Sequence, residues 1–126
     1  MKANELMIGD WYAFRGHPYQ CTASDIASIA ECEEKGAPTD ISEIPLTPEI
    51  LEKNGFKKYS DTLYGLVENF TIEIRLWDDI LIRVGEKYDS TFQVGYNWFV
   101  NGLVISDVHE LQHCLKLVGI DKEIVL

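Results

Sequence analysis

The chain has 126 residues, 46% hydrophobic and 25% charged, and eleven Lys and Arg against twenty-one Asp and Glu leave a formal net charge of −10. That length and apolar content suit a single domain, residues 1–126, that buries its own core without disulfides or metal, and they exclude global disorder. No basic cluster is larger than Lys53, Lys57 and Lys58, which argues against binding to nucleic acid or to an anionic membrane surface.

In chain order, Leu6, Ile8, Trp11, Ala13 and Phe14, then Arg15-Gly16-His17-Pro18, then Tyr19-Gln20-Cys21-Thr22 predict a strand, a turn and a second strand. Small SH3-like barrels begin this way, so a barrel-like sheet is the expectation. A helix follows from Ser24 as its cap, with Asp25 at its positive end, Ile26, Ile29 and Cys32 on one face and Gly36 ending it. Ala37-Pro38-Thr39-Asp40 reads as a loop and Ile41 to Leu46 as a short extended piece. Thr47 and Pro48 then start a short middle helix that turns Ile50 and Leu51 to the core and stops at Gly55.

The second half is patterned as sheet. Ile72, Ile74 and Leu76 alternate with Glu73 and Arg75, and Ile80, Ile82 and Val84 with Leu81 and Arg83, which predicts an antiparallel hairpin with one wet face. Phe92, Val94, Tyr96 and Trp98 continue the period of two. Asn101-Gly102 predicts a type I′ hairpin between Phe99-Val100 and Leu103-Val104. A last helix from Asp107 to Val118 carries Val108, Leu111, Leu115 and Val118 as an apolar stripe and ends at Gly119. The expected fold is α+β, a mainly antiparallel sheet with a short middle helix and a C-terminal helix.

The last helix contains His109-Glu110-Leu111-Gln112-His113, a literal H-E-x-x-H. Residues four apart on a helix point the same way, so two imidazoles can reach one Zn²⁺ while the glutamate activates its water. The rest of such a site is missing from the pattern. The metzincin extension has Gly and His where Lys116 and Gly119 stand, and thirteen residues after His113 are too few for the second helix of the thermolysin type. Asp121, Glu123 and His17 are the other candidate ligands, at no recognised spacing. The expectation is therefore no catalytic residue, no metal ligand and no cofactor. The alternative is a minimal zinc hydrolase with His109 and His113 as ligands and Glu110 as base.

Cys21, Cys32 and Cys114 are odd in number and lack C-x-x-C spacing, which points to reduced thiols. No signal-peptide core and no membrane-length apolar run is present, so a cytoplasmic address is expected and the Asn69-Phe70-Thr71 sequon has no glycosylation meaning.

Three stretches carry a resemblance. Met1-Lys2-Ala3-Asn4-Glu5-Leu6 leading into Ile8-Gly9-Asp10-Trp11, Ile44-Pro45-Leu46-Thr47-Pro48-Glu49-Ile50-Leu51 ending in Gly55-Phe56, and Val108-His109-Glu110-Leu111-Gln112-His113 resemble a family of small uncharacterised proteins of prophages and mobile elements in anaerobic gut bacteria. The resemblance implies no activity. It implies a V-H-x-L-Q core in which relatives carry Gln at the position of Glu110 and Asn at that of His113, so that metal binding is not the shared role.

Two further clusters are weaker. Tyr88, Phe92, Tyr96, Trp98 and Phe99 could form an aromatic platform, though alternation makes them ordinary sheet packing. Asp78, Asp79 and Glu73 could pair carboxylates for acid–base work or Mg²⁺, though a solvated turn explains them. The functional expectation is a non-enzymatic accessory protein acting on an unidentified protein partner, with the oligomeric state open. A third reading is nucleic-acid mimicry by the eight acids Asp25, Glu31, Glu33, Glu34, Asp40, Glu43, Glu49 and Glu52, which face the single base Lys35.

Overall fold

The computed structural model describes residues 1–68, 70–89 and 94–126. In chain order these form a 3₁₀ turn (Ala3–Glu5), strands β1 (Trp11–Phe14) and β2 (His17–Gln20), helix α1 (Ala23–Glu34), β3 (Ile41–Ser42), α2 (Pro48–Lys53), β4 (Lys57–Lys58), β5 (Leu63–Val67), β6 (Thr71–Leu76), β7 (Ile80–Asp89), β8 (Val94–Ile105) and α3 (Val108–Leu117). The strands make two antiparallel sheets, ordered β2-β1-β3 and β4-β5-β6-β7-β8. The α+β class is as expected. The barrel-like closure is corrected: both sheets are open, because the N-terminal hairpin pairs with the two-residue β3 and not with the later strands. Among the described residues no helix is long and apolar enough to cross a membrane. The chain divides into two compact units, residues 1–45 with 107–113 (unit 1) and 46–106 with 114–126 (unit 2).

In unit 1 the first strand begins at Trp11, five residues later than its apolar spacing implies. Residues 6–10 turn instead: Asp10 N donates to Met7 O (3.0 Å), and Gly9, at φ +92°, donates to Cys21 O (2.8 Å). The β1–β2 turn is only Arg15-Gly16, both at positive φ, and pairs Phe14 with His17. Pro18 is accommodated because β2 is an edge strand, where a missing N–H removes no ladder bond. The cap of α1 is Thr22, not Ser24. Thr22 Oγ1 accepts from Asp25 N and Asp25 Oδ2 accepts from Thr22 N, a reciprocal box that satisfies two helix-end donors. Gly36, at φ +70°, ends the helix as expected. Ala3, Leu6, Tyr12, Cys21 and Ile29 form the buried cluster of this unit, with Met1, Phe14, Ile26 and Ile41 packed on it.

In unit 2, Thr47 accepts from Ile50 N and Pro48 takes the first helical position of α2, as the sequence pattern requires. Asn54 then links α2 to the C-terminal segment, donating to Ile50 O and Val125 O and accepting from Val125 N, each at 2.8 Å. The β6–β7 hairpin pairs Ile72 with Val84 and Ile74 with Ile82, all four fully buried. Glu73, Arg75 and Arg83 lie half-buried on the opposite face. The predicted Asn101-Gly102 hairpin is not formed. β8 runs straight through these residues along the ten-residue β7, and Gly102, at φ +81°, is the extra residue of a bulge between Ile82 and Arg83. The left-handed backbone that favours Asn-Gly in a tight turn serves a glycine bulge equally well. Phe99 is the extra residue of a second bulge, between Val84 and Gly85. Strand β5, Leu-Tyr-Gly-Leu-Val, carries no apolar/polar alternation and was not distinguishable by period.

Candidate functional site

The H-E-x-x-H segment opens helix α3. Asp107 stands at its N-cap position, its carbonyl accepting from Leu111 N (3.2 Å), and Val108 N donates to Ile44 O (2.9 Å). Val108 and Leu111 are fully buried, as their places in the apolar stripe imply. Gln112 and His109 are buried too, which the stripe does not imply.

The polar side chains of the segment divide between two environments. Gln112 grips the Gly9–Trp11 backbone: its Oε1 accepts from Trp11 N (2.9 Å) and its Nε2 donates to Gly9 O (3.0 Å). His113 Nε2 lies 2.5 Å from Asp10 Oδ2, and the same oxygen accepts from Met7 N (2.7 Å). Gln112 and His113 therefore lock the N-terminal turn to the helix. His109 sits edge-on to the His113 ring, centroids 5.6 Å apart at 84°. One His109 ring nitrogen falls with carboxylate oxygens of Asp107 and Glu110 inside a 4.8 Å span, the one such three-residue group among the described residues. The two imidazoles thus face different carboxylates. Of the other candidate ligands, His17 is exposed on β2, and Asp121 and Glu123 are exposed in unit 2. Asp10 and Gln112 were invisible as site residues, since partners about a hundred positions apart leave no spacing to read.

Asp78 and Asp79 are exposed between β6 and β7, whereas Glu73 Oε2 accepts from Arg83 Nε (2.9 Å) and Nη2 (2.6 Å), so these carboxylates do not form a pair. The Arg83 guanidinium also lies 4.2 Å over the Trp98 ring, which stacks on Tyr96 at 5.1 Å and 16°. Phe99 is exposed. Phe92, the Tyr88 side chain and Asn69 lie outside the described residues. Five of the eight acids are held locally: Asp25 by Thr22 N, Glu31 by Lys35, Glu33 by Ala3 N, Asp40 by Arg15 and Glu43 by the terminal amine of Met1.

A cavity of about 420 Å³ in unit 1 has Tyr12, Phe14, Tyr19, Asp25, Ile29 and Cys32 among its lining residues. Burial, and then the Asp25 carboxylate, raise the Tyr12 phenol above its ordinary range. The three cysteines are free thiols. Burial raises Cys114, and burial followed by the charges of Asp25 and Asp10 raises Cys21, so both stay protonated further into alkali. Alkylation needs the thiolate, so at mildly alkaline pH half-buried Cys32 is expected to react first and the other two at the rate of unfolding. Peptide mapping after a timed iodoacetamide pulse checks the order; early labelling of Cys114 would contradict it. The stability that the two raised thiols contribute is full below the ordinary thiol range and is lost as pH climbs from there through their raised folded-state values, because the unfolded chain ionises first. No family model, no curated protein and no solved structure matches this chain.

Proposed function

We propose that this chain is a non-enzymatic accessory protein of phage or mobile-element origin that works in the cytoplasm through contacts with another protein. The observation supporting this reading is the difference between the two ends of the five-stranded sheet. One end is β4, two lysines long, and a short charged edge discourages further pairing. The other is β8, twelve residues without a charge, on which Phe99 and Val104 are 55% and 53% exposed and Tyr96 and Leu103 also face solvent. An edge of this kind accepts an added strand through its backbone groups, and its apolar side chains supply the contact area. The bulges at Phe99 and Gly102 limit pairing to short runs, which disfavours open-ended stacking of copies. The acid-rich segment adds a salt-dependent component to the encounter.

Two other readings have less support. For zinc hydrolysis with His109 and His113 as ligands, His113 falls outside the 4.8 Å donor group of Asp107, His109 and Glu110, and phosphate mimicry requires five acids to leave their partners. Affinity capture by the full chain from extracts of its host is expected to return one specific, salt-sensitive protein. Val104→Lys is expected to lose that protein with its far-ultraviolet circular dichroism unchanged. A chain that captures nothing yet cleaves a peptide library would replace this reading with the hydrolase.

A further inference from the structure

The start of α3 borders a cavity of about 410 Å³ whose lining includes Glu5, Glu43, Asp107, His109, Glu110 and His113. Four carboxylates and two imidazoles face it, and no Lys or Arg does. Glu43 lies 3.7 Å from the terminal amine of Met1, and Glu5 accepts from Lys2 N. Acidity alone would be an ordinary solvated face. His109 distinguishes it: the residue is only 6% exposed, and its Nδ1, sealed from solvent, has no hydrogen-bond partner among the described residues. Leaving a buried ring nitrogen unsatisfied is unfavourable, and this one belongs to a ring that already reaches the carboxylates of Asp107 and Glu110.

We propose that Asp107, His109 and Glu110 form a binding site for one first-row divalent transition-metal ion of the Zn²⁺ kind. One imidazole nitrogen with two carboxylate oxygens is a donor set suited to such an ion, whereas Ca²⁺ and Mg²⁺ favour oxygen throughout. Bonds of about 2.0–2.1 Å place tetrahedral ligand atoms roughly 3.3 Å apart. The three side chains, already within 4.8 Å, therefore close on the ion by small rotations. The positive end of the helix dipole opposes a cation here, and the carboxylates of the cavity outweigh it. His113 is outside this ligand set, because the donor group within 4.8 Å holds Asp107, His109 and Glu110 alone and the His113 Nε2 pairs with Asp10. The ligand set thus differs from the imidazole pair of an H-E-x-x-H peptidase, and the ion ties the first turn of α3 together without a role in hydrolysis.

Calorimetric titration of the untagged full chain with Zn²⁺, and of a parallel sample with Co²⁺ followed by its visible spectrum, tests the assignment. One ion per chain is expected, with no competition from excess Ca²⁺. Glu110→Gln and Asp107→Asn preserve residues that still serve a helix N-terminus, so they fold, and each is expected to weaken Zn²⁺ binding at least about tenfold. His113→Gln is expected to leave it unchanged, and Zn²⁺ is expected to raise the thermal midpoint only where all three ligands remain. Equal affinity for Ca²⁺, wild-type affinity in both carboxylate variants, or loss of binding in a folded His113→Gln chain each overturns the proposal. Val104→Lys, which tests the protein-contact reading, leaves these three ligands intact, so the two proposals fail separately.

Discussion

Replacing Asp10 by Ala is expected to lower the unfolding free energy by about 3 kcal/mol, a large part of the roughly 5–15 kcal/mol that holds a domain of this size. The Asp10 side chain is 0% exposed and accepts from both Met7 N and His113 Nε2. Truncation leaves Met7 N and His113 Nε2 without this acceptor, and an acceptor lost at a fully buried position costs more than a surface ion pair. Gln112→Ala should cost about 2 kcal/mol, since it leaves the Trp11 N–H and the Gly9 carbonyl without their amide partner. His113→Gln should cost about 1 kcal/mol, because that side chain is partly open to solvent and glutamine can still donate. Urea unfolding of the three variants should rank them in this order. An Asp10→Ala midpoint equal to that of the wild type would mean that residues 6–10 are not held by this contact.

Gly85→Ala is expected to be the most damaging single methyl addition in the sheet, at about 3 kcal/mol, the upper end for overpacking a core. A β-carbon at this position of β7 would overlap the carbonyl oxygen of Asn97 and lie 2.9 Å from the carbonyl carbon and from Cε3 of Trp98. The obstruction is the backbone of β8 beside the Phe99 bulge, so relief requires a register change and not a rotamer change. Gly36→Ala is the control. Its φ of +70° makes any side chain strained, but open space surrounds it, so only the backbone term of about 1–2 kcal/mol applies. Matched thermal and urea denaturation measures both; a Gly36 variant as unstable as the Gly85 variant would count against the β7–β8 register.

The helix ends were legible because they are local. Thr47 with Pro48, Gly36, Gly55 and Gly119 each mark a boundary through dihedral preference or a bond reaching no more than four residues. The alternation of β6 and β7 was legible for the same reason, since burial on one face repeats every second residue. Where two local solutions share one dihedral requirement, the pattern misled. Asn101-Gly102 satisfies a hairpin or a bulge alike, and the length of β7 selected the bulge.

By itself the sequence determined the α+β class, both boundaries of α2, the β6–β7 hairpin and the acidity of the whole, all consequences of residue type and short spacing. Only the tertiary structure decided which partners the residues from His109 to His113 meet. Asp10 reaches His113 and Gly9 reaches Gln112 across about a hundred positions, contacts that helical spacing alone does not reveal. A side chain's partner is set by which backbone is carried next to it, and that is a property of the folded chain, not of the neighbours in its string.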